Sequence, residues 1–314
     1  MRHGARERLR SKSGFVLLIT LLIILLLSVI IFEIDFQARA DLRAAVNFRD
    51  DLTAYYLARS GISLGKDVLR EDMENANEPW DTASDLWATP VPPIPLGEGT
   101  VSGAIKDESA KINLNFLVGP NDNIILWRKE QLQRLFRLIE IAPGLVDPMI
   151  DSIIDWIDKN DATGPSGAES EYAFLDPPYA AKNGPIETLE ELHFIKGITP
   201  DIYQKITPYL TIHTEGKLNI NTADSTILQS LHNYITEEIA KELMSSRPYV
   251  SAETFKVNLG AGIKNTMDIG MGNSFDIRSH IFSMEAMGTV GNTKKILRAV
   301  WNRQQNKLLY FEVQ

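Results

Sequence analysis

The sequence predicts an α+β protein: one very long N-terminal helix against an antiparallel sheet, with a large helical domain inserted between strands of that sheet. Three observations carry this reading. Residues 15–73 contain no proline and are dominated by helix formers. Strand-like alternation occurs at Thr100–Lys106 and returns only beyond residue 280. The stretch between them, residues 108–276, is largely helical in pattern.

The helix begins with an unusual signal. Arg2, Arg6, Arg8, Arg10 and Lys12 precede Gly14, Phe15–Phe32 runs without a charge, and Glu33 ends the run. Eighteen residues at helical rise cover about 27 Å, close to the hydrocarbon core of a bilayer. The basic flank is expected to stay cytoplasmic and the remainder to cross. A plain anchor needs only this length and apolarity. A cleaved secretory signal is also readable, with Ala38-Arg39-Ala40 as a small-x-small site, but the apolar core is longer than such signals carry and Glu33, Asp35 and Gln37 intervene. A prepilin-type leader accounts for more: a short basic peptide ending in Gly14, then Phe15, then the apolar helix at once. Cleavage would fall between Gly14 and Phe15 and leave the helix attached.

Beyond Phe32 the helical pattern continues to about Met73. Phe48, Leu52, Tyr55, Tyr56, Ile62, Val68 and Leu69 recur at roughly helical spacing and predict one apolar face; Asn75, Asn77 and Pro79 supply the stop. Such a helix is about 87 Å long, so only its first third fits in lipid and the rest must pack on a soluble domain. That is the architecture of a pilin-like subunit.

Trp80, Trp87 and a run of prolines (Pro90, Pro92, Pro93, Pro95) read as a connection to the first strand, Thr100–Lys106. Ile281–Val290, Lys295–Arg303 and Lys307–Val313 read as three more strands, joined by turns at Gly291-Asn292 and Gln305-Asn306. The inserted segment predicts helices at Trp127–Ile141, Gly144–Ile157, Ile186–Phe194, Thr199–Tyr209, Thr222–Leu231, Thr236–Ser245 and Ala252–Phe255. It also contains an echo: Lys111-Ile-Asn-Leu-Asn115 returns as Lys217-Leu-Asn-Ile-Asn221. These asparagines read as structural caps, with Asn221 or Thr222 capping the next helix.

Leu189–Leu210 reads as a helix-hairpin-helix unit, with Gly197 in its tight turn and Ile195 and Ile198 packed beside it. Residues 218–255 resemble the second half of such modules in membrane-anchored DNA receptors, which raises DNA uptake as a rival function. Against it, the corresponding turn, His232–Thr236, has no glycine, and Glu237, Glu238 and Glu242 would repel phosphate. The formal charge of −9 sharpens the point: residues 1–14 carry five basic residues against Glu7, leaving the body at −13. No nucleic-acid partner is expected of so acidic a body.

The densest polar cluster is Asp155-Trp-Ile-Asp158-Lys-Asn-Asp161, followed after a Gly/Pro turn by Glu169 and Glu171. Converging carboxylates on a loop suit a hard cation such as calcium, with Asp158, Asp161, Glu169 and Glu171 as candidate ligands. The spacing is not that of an EF-hand, and a solvated acidic loop is the competing reading. An enzyme is not expected. His3, His193, His213, His232 and His280 are scattered, cysteine is absent, and neither a phosphate loop nor a nucleophile elbow occurs.

Taken together, the leader, Asp-Trp-Ile-Asp-x-x-Asp…Gly-Ala-Glu, Glu-Glu-Leu…Gly-Ile and Asn-Ile-Asn-Thr-Ala resemble the minor pseudopilin K family of bacterial type II secretion, over nearly the whole chain. The resemblance implies a leader at 1–14, a helix at 15–75 spanning the inner membrane over 15–32, and a pilin-like head from 76–107 and 277–314. It implies a SAM-like, helix-hairpin-helix-like insertion at 108–276 that holds calcium. Prepilin peptidase would cut after Gly14 and the new N-terminus, Phe15, would be methylated. The implied partners are minor pseudopilins I and J and the major pseudopilin, with the head periplasmic and the assembled protein at the pseudopilus tip. In most pilins the fifth mature residue is Glu, thought to pair with a neighbour's N-terminal amine. Here it is Ile19, a departure that K pseudopilins share and that suits a subunit with nothing above it. A minor pilin of a type IV pilus is a further rival.

Overall fold

The computed structural model describes residues 4–74 and 79–314, with side chains described from Gly14 onward. The helix stop read at Asn75 and Asn77 lies outside the described residues.

Helix α1 runs from Gly4 to Glu74. It packs on the sheet only through its last part. Of the expected apolar face, Ile62 and Leu69 are buried and Tyr55 and Val68 pack beside them, whereas Phe48, Leu52 and Tyr56 stay exposed and Ala54, Leu57 and Ala58 are buried instead. The reason is steric. Gly61 lies so close to the sheet that a Cβ would meet the Ala286 Cβ at 2.9 Å, and at Gly65 it would meet the Met284 sulfur at 3.1 Å. Small residues at 54, 58, 61 and 65 let the helix axis approach the strands, and large side chains at those four positions would hold it away.

The strands follow in chain order: β1 (Val91–Leu96), β2 (Gly99–Asp107), β3 (Ile112–Asn113), β4 (Leu210–Thr211), β5 (Leu218–Asn219), β6 (Phe275–Asp276), β7 (Ile281–Val290), β8 (Thr293–Asn302) and β9 (Lys307–Val313). Five of them form one antiparallel sheet in the order β1-β2-β7-β8-β9. Phe282, Met284, Ala286, Leu297, Ala299 and Trp301 point from β7 and β8 into a core that α1 covers and Trp87 closes. The turn residues Gly291 and Asn306 have φ of +55° and +50°, which explains glycine and asparagine there. The proline-rich stretch is corrected from connection to strand: β1 contains Pro92, Pro93 and Pro95 yet pairs with β2. Proline cannot donate to a ladder, so this strand is stable only at an edge, where β1 lies.

The chain leaves the sheet at Asp107 and rejoins it at Ile281. Between these points lie α2 (Leu126–Leu138), α3 (Pro143–Ile157), α4 (Pro200–Ile206), α5 (Ser225–Leu231), α6 (Glu237–Ser245), α7 (Ala252–Asn258) and α8 (Ala261–Gly270), around a second apolar core. The expected helix at 186–194 is a 3-10 helix over Leu189–Phe194, and α8 escaped the sequence reading because its glycines depress helical pattern. Helix α5 is capped by Asp224, whose carboxylate accepts from the Ile227 N–H at 2.7 Å, rather than by Asn221 or Thr222.

The asparagine echo is a repeated clamp. Asn113 and Asn219 each accept the N–H two residues on, both at 2.9 Å. The second asparagine of each motif brackets one distant residue: Asn115 bonds both the N–H and C=O of Ile186, and Asn221 both those of Tyr249. Each motif also carries a short parallel pairing, β3 with β4 and β5 with β6.

Candidate functional site: the acidic loop and the apolar helix

Helix α3 is apolar on most sides, yet it buries Asp151 and Asp155, and Asp158 follows as its C-cap. Those carboxylates organise the long loop after it. Asp155 Oδ1 accepts the Gly164 N–H and Oδ2 the Ala168 N–H, each at 2.9 Å, and Asp151 Oδ2 accepts from Ser166. A Cβ at Gly167 would lie 1.9 Å from Asp155 Oδ2, so glycine is required for this approach. The underside of the loop is pinned by aromatic packing of Trp156, Tyr172 and Tyr179.

Of the four candidate ligands, Asp161 and Glu169 are linked through Asn183, Asp158 lies near enough to Glu169 to feel its charge, and Glu171 turns elsewhere. The Glu171 carboxylate bonds the Lys196 ammonium at 2.6 Å on the exposed side of the loop. Asn183 joins the group in its stead: its Nδ2 donates to Asp161 Oδ1 at 2.9 Å, and a further bond from it lowers the pKa of Glu169 against the effect of burial. Among the described residues, Asp158 Oδ1, Glu169 Oε2 and Asn183 Oδ1 are buried oxygens without a hydrogen-bond partner. Asp122, with φ +60°, approaches from another loop and accepts the Lys159 N–H and the Asn160 amide.

Electrostatics agree with a site that lacks positive charge. Burial pushes the Asp158 carboxyl up to about 6, helped by the charges of Asp122, Asp155 and Glu169. Burial also raises Glu169, with Asp155 and Asp161 adding to it. Buried oxygens left without donors are costly unless something satisfies them. A donor set of carboxylate and amide oxygens is the chemistry a calcium ion takes. Asn183 and Asp122 were missed from sequence because they lie 14 residues or more from the carboxylates they join, outside any local motif.

The other functional element is the first part of α1. Among the described residues, one helix is long and apolar enough to cross a membrane, with a mean hydropathy of 3.4 in its most apolar window. No residue of that window is buried by the rest of the protein. Its polar side chains are satisfied within the helix: Thr20 donates to the Leu17 carbonyl and Ser28 to the Ile24 carbonyl. Gly14, Phe15 and Ile19 all lie on this helix, and Phe15 and Ile19 are exposed. The hairpin unit forms with Gly197 at φ +89° and Ile195 and Ile198 buried. The opposing module's α6 begins with Glu237 and Glu238, and Lys241 is paired with Glu237. That helix end repels phosphate.

Comparison with known proteins agrees with this architecture. The family model described as type II secretion system (T2SS), protein K, first domain, matches residues 110–215. Type II secretion system protein K of Aeromonas hydrophila is 26% identical over 318 residues, 96% of each chain. The protein of that name from Pseudomonas aeruginosa is 27% identical over 234 residues, 71% of this chain and 68% of the relative. In the crystal structure of the GspK-GspI-GspJ complex of the enterotoxigenic Escherichia coli type 2 secretion system, one chain superposes with a TM-score of 0.74 at 21% identity. That match covers 87% of this chain and 99% of the other. Fold and helix define a pilin-like subunit with an inserted helical domain. The chain is similar to type II secretion system protein K over nearly its whole length, and it shares the fold of a chain in that complex.

Proposed function

We propose that the protein forms the tip of the type II secretion pseudopilus, bound to minor pseudopilins I and J above the major pseudopilin, and serves export of folded proteins across the outer membrane. The carrying observation is the uncharged, uncovered apolar stretch of α1 directly after Gly14, with Ile19 at the fifth place from Phe15. A buried, uncompensated amine or carboxylate in hydrocarbon costs several kcal/mol. A subunit without Glu there cannot neutralise the amine of one stacked above it, which suits the uppermost position. In this reading prepilin peptidase cleaves after Gly14, Phe15 becomes the methylated N-terminus, the basic flank is cytoplasmic and the head is periplasmic. The complex from enterotoxigenic E. coli supports I and J as partners through likeness of fold.

Gly14→Ala is expected to leave the precursor uncut in cells that process the wild type, read by intact-mass analysis of the membrane-extracted protein. A normally processed variant would remove the leader reading. The tip assignment is tested by co-purification with tagged I and J: loss of both from the wild-type complex contradicts it.

In the same reading calcium is held by Asp158, Asp161, Glu169 and Asn183, and its role is to keep the loop 158–188 in place. At a concentration about a thousandfold above its dissociation constant, calcium should raise Tm by roughly 10 °C. Asp158→Ala combined with Glu169→Ala should abolish that rise while leaving the calcium-free Tm little changed; an undiminished rise would dismiss the site. Because the ligand is carboxylate, affinity should weaken as pH falls through about 6, where Asp158 takes up its proton.

A further inference from the structure

The two edges of the sheet are treated differently. β1 at one edge is blunted by Pro92, Pro93 and Pro95, which have no N–H to offer. β9 at the other edge, Lys307–Val313, contains no proline. Its pairing shows which groups are free. Ile296 and Gln314 exchange both backbone bonds, at 3.0 and 2.9 Å. Antiparallel pairs alternate, so Arg298 with Glu312 and Val300 with Tyr310 also exchange bonds. Phe311 and Val313, opposite Ala299 and Leu297, therefore turn their N–H and C=O groups outward.

The side chains add a pattern to this open edge. Leu297, Ala299 and Trp301 lie in the core under α1, so Val313, Phe311 and Leu308 opposite them project on the helix side. These three remain 45%, 43% and 43% exposed. On the other side Tyr310 and Glu312 line a cleft of about 360 Å³ between the sheet and residues 187–190 of the insertion. Five carboxylates against three Lys or Arg side chains line that cleft. Lys111 is taken by Glu108 and Glu187 pairs with Lys182. Arg298 is shared between Glu285 at 2.8 Å and Glu312 at 3.8 Å, which leaves Glu312 with half a partner and Glu190 with no ion pair among the described residues. Burial raises the pKa of the Tyr310 hydroxyl, Glu312 and Glu190 add to the rise and Arg298 opposes it, so both carboxylates lie near β9.

We propose that β9 docks an extended segment of another protein as a sixth strand, a segment in which apolar and basic residues alternate. Its backbone would bond Phe311 and Val313, its apolar side chains would cover Leu308, Phe311 and Val313, and its basic ones would face Glu190 and Glu312. This surface is separate from the carboxylates Asp158, Asp161 and Glu169 and from the apolar part of α1, and the inference does not depend on the tip assignment.

The test uses the full chain in detergent micelles and two fluorescent, end-capped peptides, one alternating Val with Lys and one alternating Val with Glu. The Val/Lys peptide should bind saturably and the Val/Glu peptide at least about tenfold more weakly. Phe311→Pro removes an outward N–H and an apolar side chain but no β8–β9 bond. It should weaken the Val/Lys peptide by about tenfold or more with the sheet intact by circular dichroism. Val313→Pro serves the same end if Phe311→Pro unfolds. Glu190→Gln with Glu312→Gln should erase the preference for Lys. No saturable binding, equal binding of both peptides, or unchanged affinity in the folded proline variants would each overturn the proposal.

Discussion

Replacing Arg303 with alanine is expected to cost the folded state about 3–5 kcal/mol, the range for breaking a buried ion pair from one side. The Arg303 side chain is 1% exposed. Its Nη2 bonds both oxygens of Asp81 at 2.6 Å, its Nη1 bonds Asp72 at 2.8 Å, and it lies 4.9 Å above the Phe282 ring. The end of α1, the segment after it and the last hairpin meet at this one guanidinium. Alanine would leave the Asp81 carboxylate buried beside Asp72 with no cation on either. Urea denaturation should show the loss as a lower midpoint, and Asp81→Asn in the same background should recover part of it. A midpoint within the error of the wild type would mean that the junction does not hold the helix to the head.

The same cluster sets a pH dependence. Burial pushes Asp72 up to about 6 against the Arg303 contact, and the neighbouring Asp81 adds to the rise. Burial raises Asp81 as well. An acid raised on folding contributes stability that is complete below its unfolded pKa, near 4, and is lost as pH climbs through the folded value. Stability should therefore decline between about pH 4 and pH 6, and Asp72→Asn should flatten that decline. Asp158 titrates in the same window, so the comparison belongs in an Asp158→Asn background.

Gly288→Val is the second large effect, expected at about 3 kcal/mol or more, the upper end for overpacking. Valine favours strands, and by propensity alone the change on β7 should help. The geometry reverses this. A Cβ at Gly288 would sit 2.0 Å from the Ala54 carbonyl oxygen and 2.8 Å from the Ala58 nitrogen, both backbone atoms of α1. Neither can yield unless the whole helix lifts off the sheet, opening the core around Met284 and Ala286. Gly65→Ala is the contrasting case. Its Cβ would meet the flexible Met284 side chain, and alanine brings a helix-propensity gain of about 1 kcal/mol. Thermal denaturation of the two variants should give a large fall for Gly288→Val and little change for Gly65→Ala. Equal shifts would contradict the close packing of α1.

Much of this architecture was legible because its causes are local. The apolar run after Gly14, the alternation in β2, β7, β8 and β9, and the turns at Gly291 and Asn306 are each decided by residues within a few positions. The acidic loop was visible for the same reason, since Asp158, Asp161 and Glu169 crowd into one short stretch. Glu171 shows where this stops. It has the right chemistry and spacing, but Lys196, 25 residues on, draws it away from the group. Asn183 and Asp122 enter only because the loop folds back on itself.

The sequence by itself thus determined an uncharged apolar helix behind a basic flank, the strands, and a carboxylate-rich loop. These follow from hydrophobicity, period and charge, which act over a few residues. Tertiary structure alone decided that Phe48, Leu52 and Tyr56 stay outside the packed face of α1 and that Ala54, Ala58, Gly61 and Gly65 share it, because close approach to a sheet needs small side chains at those points. It decided that a proline-rich stretch is an edge strand, since pairing on one side asks less of the backbone. It also decided that Arg303 answers Asp72 and Asp81, more than 200 residues away. Contacts at that separation leave no periodic trace in the chain and exist only once the helix, sheet and insertion have closed on one another.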